Sequence, residues 1–179
     1  MAVRIDKAFF TAFDQASPVC HGLPGTAYTS GEFFELEANQ LFAASWSFVG
    51  FAHQLANVGD VQPLTVAGKP VFLVRSEADK IRAFHNVCRH RNLKLIGQAG
   101  HCDALITCPY HRWSYDFGGQ LRLAPYFGGG KSGLPDGFDL ANHGLYEIPC
   151  HTFHDWVFIN LDGQAESFDV FVEPLKRQL

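Results

Sequence analysis

The apolar positions change period near residue 45. Upstream, "YTSGEFFELEANQLF" places Phe33, Phe34, Leu36 and Leu41 where they can line one side of a short helix. Thr29 and Glu32 fit a capping box, and Ser30 is the other candidate N-cap. Downstream the chain breaks into short runs rich in Val, Phe and Ile: "SWSFVGF", "PLTV", "VFLVR" and "IRAFHN". Such runs bounded by turn residues predict strands, with "AGKP" and "SEADK" as hairpin turns. "ALITC" and "SYDF" continue the pattern, and Gly118–Gly119 turn the chain into "QLRL". Residues 124–143, with Pro125, Pro135 and several glycines, predict a long loop. "LYEIPCH" and "WVFINL" predict two more strands, and "SFDVFVEPLKRQL" begins a helix. Residues 1–28, with Pro18, Gly22, Pro24 and Gly25, predict an irregular arm against the core or a neighbour. The expected fold is all-β: an antiparallel β-sheet sandwich with a short N-terminal helix and loops on rigid strand ends.

Composition narrows the class. The 179 residues suit one domain with short extensions, and 47% hydrophobic residues, with 17 phenylalanines, supply a real core. The net charge of −4 argues against a nucleic-acid binder with a basic surface. No apolar run approaches a membrane span, so no membrane partner is expected. Asp6, Lys7 and Asp14 interrupt the N-terminus, unlike a secretory signal, so the expected compartment is cytoplasmic. Five cysteines, an odd number, do not suggest a disulfide framework. Cys20, Cys102 and Cys150 are taken as ordinary small residues, and His85 as structural.

The chemistry concentrates in "CRHRNLKLIGQAGHCDALITCPYHRW", residues 88–113. It opens with Cys88-x-His90 and closes with Cys108-x-x-His111. Thiolate and imidazole are soft and borderline metal ligands, so four of them in two loops suggest a metal centre. One alternative is structural zinc, which takes two Cys and two His but usually from C-x2–4-C and H-x3–5-H pairs. Another is chance placement of core cysteines and surface histidines. The third is a [2Fe-2S] cluster with two thiolates on one iron and two imidazoles on the other, which explains why each loop contributes one of each. Cys88 and Cys108 would hold one iron; His90 and His111 would hold the other. Neutral imidazoles make such a centre two charges less negative than an all-cysteine cluster, which raises its potential.

Cys88-x-His90-x17-Cys108-x2-His111 resembles the Rieske motif. Its surroundings, "NVCRHR" and "CPYHRWSYDFGGQL", look like the Rieske domain in the large subunit of ring-hydroxylating and related non-haem iron oxygenases. "LPGTAYTSGEFFELEANQLFAASWSFVGF" and "WVFINLDG" resemble the entry and closing segments of that domain, so the likeness spans about residues 23–175. The resemblance implies an arm and helix over 1–41, a Rieske domain over 42–166, and a tail over 167–179 leading towards a catalytic domain. It also implies a [2Fe-2S] cofactor and an electron-transfer role between a ferredoxin or reductase and a mononuclear iron, held by a catalytic domain or a neighbouring oxygenase subunit. A stand-alone Rieske electron carrier is the alternative, and the arm and entry helix speak against it. Rieske proteins of cytochrome bc-type complexes carry an extra cysteine in each loop and a serine two residues after the last histidine. Here Tyr110, Leu93 or Lys94, and Trp113 stand at those places. Fewer hydrogen bonds to the cluster sulfurs place the expected potential at the low end, about −150 mV.

Two residues depart from the oxygenase pattern: Asn92 and Arg112 stand where glycine is frequent. Asn tolerates positive φ best among non-glycine residues. Arg89, Arg91, Lys94 and Arg112 would form a basic rim for an acidic ferredoxin or reductase, or else pair internally with carboxylates. The mononuclear iron needs two His and one carboxylate, and His151 and His154 do not make a convincing pair for it. Both aromatic rings and quaternary amines are substrates within the family, and aromatic hydrocarbon catabolism is one expected setting.

Overall fold

A computed structural model describes residues 22–128 and 134–178. The first 21 residues, including Cys20 and most of the expected arm, lie outside the described residues. Ser30 is the cap of the first helix, α1 (Gly31–Glu37): its Oγ accepts the Phe33 N–H at 3.2 Å. Thr29 instead donates its hydroxyl to the Gly25 carbonyl. A π-helical turn, Ala38–Phe42, follows directly, closed by the Ala43 N–H on the Ala38 carbonyl. Phe33 is buried while Phe34, about 100° further round the same helix, faces solvent, and the wider turn leaves Leu41 facing solvent as well. The expected one-sided stripe is therefore only partly a core face.

The strands are β1 (Trp46–Phe51), β2 (Asp60–Val66), β3 (Lys69–Glu77), β4 (Lys80–His85), β5 (Gly100–His101), β6 (Ile106–Thr107), β7 (Ser114–Tyr115), β8 (Leu121–Leu123), β9 (Glu147–Ile148), β10 (Cys150–Phe153) and β11 (Trp156–Asn160); they follow the predicted runs except that none of those runs predicts β5 and the single run "LYEIPCH" divides into β9 and β10. The final helix, α2, covers Phe168–Lys176. They pair into three antiparallel sheets ordered β5-β2-β3-β4-β9, β1-β11-β10 and β6-β7-β8.

Strand β3 is the centre of the molecule. Its side chains alternate, as a pleated strand requires, but both faces are buried. Val71 and Leu73 pack with Val157 and Ile159 of β11. Phe72 and Val74 pack with Phe84, Ile106, Trp113 and Tyr115. The five-stranded sheet is thus a middle layer, with β1-β11-β10 on one side and β6-β7-β8 on the other. Phe168 and Val172 of α2 cover the outer face of β1-β11-β10 through Trp46 and Phe158. Gly119 turns β7 into β8 with φ +84°, and a Cβ there would stand 2.5 Å from the Phe84 ring. Only glycine satisfies both the turn and that close approach. Among the described residues no helix is long and apolar enough to cross a membrane.

Candidate metal centre

The two Cys/His loops emerge side by side from this frame. The first leaves β4; the second is the turn between β6 and β7. Their backbones repeat one pattern. The Cys88 N–H donates to the Leu93 carbonyl at 2.8 Å, and the Asn92 N–H to the Cys88 carbonyl at 2.9 Å. The Cys108 N–H donates to the Trp113 carbonyl at 2.8 Å, and the Arg112 N–H to the Cys108 carbonyl at 3.1 Å. The residue four after each cysteine is left-handed: Asn92 at φ 56° and Arg112 at φ 58°. The two departures from glycine are thus equivalent positions of one repeated turn. Different histidine offsets hide this equivalence in the sequence.

The loops bring the four sequence-predicted residues together. Cys88 and Cys108 are buried free thiols, close enough for their sulfurs to interact. The His90 and His111 rings lie 4.7 Å apart, centroid to centroid. Burial pushes the Cys88 thiol up, opposed by hydrogen bonds from Tyr115 and the His90 backbone. Burial also holds His90 below the usual imidazole range, with His111 and Arg91 adding to the effect. A neutral imidazole is the form of His90 that a metal ligand requires. The Nδ1 of His111 is buried with no hydrogen-bond partner, a lone pair or proton left bare at the centre. Among the described residues no three His, Cys, Asp or Glu side chains converge to hold one ion.

The surrounding residues take distinct roles. Trp113 is buried and stacks flat on His90 at 4.8 Å. Tyr110 is exposed and tilts over His111 at 3.7 Å. Arg89 is withdrawn from the expected rim: its guanidinium donates to the Gly144 carbonyl at 2.8 Å and lies 3.8 Å over the Tyr146 ring. Its internal partners are thus a carbonyl and a ring. Arg91, Lys94 and Arg112 are exposed, and none forms an ion pair among the described residues. Arg91 joins His90, His111, Pro125, Tyr126 and Phe127 around a shallow hollow.

Sequence reasoning missed two residues. Tyr115 is buried in β7, yet its hydroxyl lies 3.3 Å from the Cys88 sulfur and accepts the Arg89 N–H at 3.0 Å. Burial first, then the neighbouring thiol, pushes that phenol far above its ordinary range. Asn86 is fully buried; its Oδ1 accepts the N–H groups of Leu95 and Ile96, and its Nδ2 donates to the Ile96 carbonyl. It ties the end of β4 to the far side of the first loop. An Asn at the end of an apolar run, two residues before Cys88, was the available signal. His151 is stacked on Phe168 and edge-on to Trp46, which makes it a packing residue.

A model of the Rieske [2Fe-2S] domain matches residues 45–134. The chain belongs to the Rieske [2Fe-2S] family. It is 34% identical over 155 residues to the glycine betaine monooxygenase oxygenase subunit of Chromohalobacter salexigens, covering 87% of this chain and 34% of that protein. The carnitine monooxygenase oxygenase subunit of Acinetobacter pittii is 34% identical over 142 residues, 79% of this chain and 37% of that protein. The quaternary ammonium Rieske monooxygenase CntA with gamma-butyrobetaine superposes with a TM-score of 0.78 at 30% identity, over 98% of this chain and 49% of that one. Naphthalene 1,2-dioxygenase with indole bound gives 0.69 at 26% identity, over 79% of this chain and 31% of that one. The chain thus spans about a third of the length of the curated relatives it matches. As a Rieske [2Fe-2S] domain it carries a [2Fe-2S] cluster.

Proposed function

We propose that the chain is the electron-relay domain of a non-haem iron oxygenase. It would take electrons from a ferredoxin or reductase and deliver them to a mononuclear iron held outside the described residues. The observation that carries the reading is the pair of like turns setting two buried thiols and two neighbouring imidazoles around one centre. Cys88 and Cys108 would hold one iron, and His90 and His111 the other. When bound, the cluster supplies one-electron chemistry at a potential raised by its imidazole ligands.

The chain's own residues prepare that chemistry. Asn86 and the Cys-to-carbonyl bonds fix the loops. Tyr115 donates towards the Cys88 sulfur, which favours the more negative, reduced state. Trp113 and Phe127 pack against the His90 ring and hold it in place. Arg91 beside the two histidines, with Lys94 and Arg112 exposed on the same two loops, presents positive charge suited to an acidic donor protein. The relatives support an oxygenase setting, since they are oxygenase subunits, and a structure of the quaternary ammonium monooxygenase concerns inter-subunit electron transfer. Glycine betaine and carnitine monooxygenases among the relatives favour a quaternary ammonium substrate over an aromatic hydrocarbon, although a 2-aminobenzenesulfonate dioxygenase subunit is also among them.

EPR of the dithionite-reduced protein, with iron and acid-labile sulfide analysis, tests the reading. The expected result is a rhombic S = 1/2 signal that fails to form when His90 or Cys108 is replaced by alanine. A colourless, diamagnetic protein containing zinc and no labile sulfide overturns it.

A further inference from the structure

Each loop closes on its cysteine through the residue five positions later, but those two residues differ in reach. Leu93, in the first loop, is 40% exposed and closes only its own turn. Trp113, in the second, is 1% exposed, and its ring crosses to the other loop. There it stacks on His90 with ring planes 9° from parallel and centroids 4.8 Å apart. Phe127 packs edge-on against both rings, at 5.2 Å from Trp113 and 5.7 Å from His90. Phe138 backs the indole at 5.8 Å.

From this arrangement we infer that Trp113 is the positioning residue of His90: its backbone fixes Cys108 in one loop while its ring sets the imidazole plane in the other. The inference rests on the reading that His90 is a cluster ligand. Rotation about the outer torsion of a histidine is soft, so a ligand ring needs an external wall to define its plane. His111 has only the exposed Tyr110 from its own loop; His90 has a buried one. Hydrogen bonding does not account for an indole here, because the Trp113 Nε1–H is buried without a partner. A bare N–H costs about 1–3 kcal/mol, which a phenylalanine would avoid. The flat face remains as the feature that does something at this place.

Pulsed EPR of the reduced, cluster-loaded chain separates the two ideas by resolving the nitrogen couplings of both imidazoles. His90→Cys, which offers a thiolate in place of the imidazole, should abolish one set and keep the other; if both sets persist, the ligand reading falls and this inference falls with it. With that set assigned, Trp113→Leu should shift and broaden the His90 coupling and leave the His111 coupling in place. Trp113→Phe should restore the parent value. Phe138→Leu, which loosens the same core without touching His90, should lower the melting temperature and leave both couplings unchanged. If Trp113→Leu does not fold, Trp113→Met is read in the same way. A Trp113→Leu or Trp113→Met protein that melts lower yet keeps both parental couplings overturns the inference, since Trp113 would then serve packing alone.

Discussion

Tyr115 meets the first loop from a strand of the second, with its hydroxyl on the Cys88 sulfur. A hydrogen bond to sulfur is stronger in the reduced state, so it raises the potential. The low potential expected from Trp113, which offers no hydroxyl, is therefore partly offset. Tyr115→Phe keeps the buried ring and removes the bond. A differential contribution of about 1 kcal/mol corresponds to a midpoint lowered by about 40 mV for one electron, measured by redox titration; an unchanged or higher midpoint refutes the assignment. Arg112 shows the opposite economy. A non-glycine residue in the left-handed region costs about 1–2 kcal/mol, against about 0.5–1 kcal/mol for the freedom glycine adds to the unfolded chain. Arg112→Gly should therefore raise the melting temperature slightly, by up to about 4 °C, while Arg112→Ala gives no gain. The same Arg112→Gly protein should be reduced more slowly by an acidic donor at low salt, and the difference should vanish at high salt; equal rates at low salt would remove Arg112 from the docking rim.

At the scale of elements, the two loops depend on Asn86. Asn86→Ala leaves the Leu95 and Ile96 N–H groups and the Ile96 carbonyl unpaired in a buried place. The expected loss is about 2–4 kcal/mol, with weaker cluster retention, seen in thermal melts and iron release; a variant as stable as the parent would show that water replaces the amide. The strands and hairpins were legible because alternation and turn residues are local signals, as in "VFLVR" and the Gly118–Gly119 turn. Cys88, His90, Cys108 and His111 were legible because their spacing is itself chemical information. What was not legible lies across the chain: Tyr115 and Cys88 are 27 positions apart, and no local pattern pairs them. Strand β5 is two residues long, too short for a period to show. The π-turn after α1 adds one residue to a turn and moves Leu41 off the face that a regular helix predicts. Arg89 is ambiguous in sequence because a surface cation and one clamped over a ring are spelled alike.

The whole molecule is a stack in which the middle sheet is buried on both faces. Its periphery is tied by exposed pairs, and two carboxylates there titrate below their ordinary range. Asp155 is lowered first by its hydrogen bond with the His53 ring, and Asp60 first by the Asn57 N–H and then by His101. Depressed folded values mean the stabilising contribution is complete above the unfolded range near pH 4 and is lost as pH falls through the folded values. Thermal midpoints should thus hold steady down to about pH 5 and drop below about pH 4. Asp60→Asn and Asp155→Asn should flatten that drop, and an unaltered acid limb in both would exclude these groups. Because Arg91 lies beside both histidines and Lys94 and Arg112 are exposed on the same loops, reduction by a partner protein should slow as ionic strength rises, which stopped-flow measures. The repeated turn has a further consequence for protein engineering. The cradle consists of two hexapeptides, residues 88–93 and 108–113, each closed on itself by its own backbone. A redox site could therefore be transplanted as two cassettes, the second carrying its own Trp113, onto any pair of adjacent strand ends, provided the host also supplies the two cross-braces Asn86 and Tyr115.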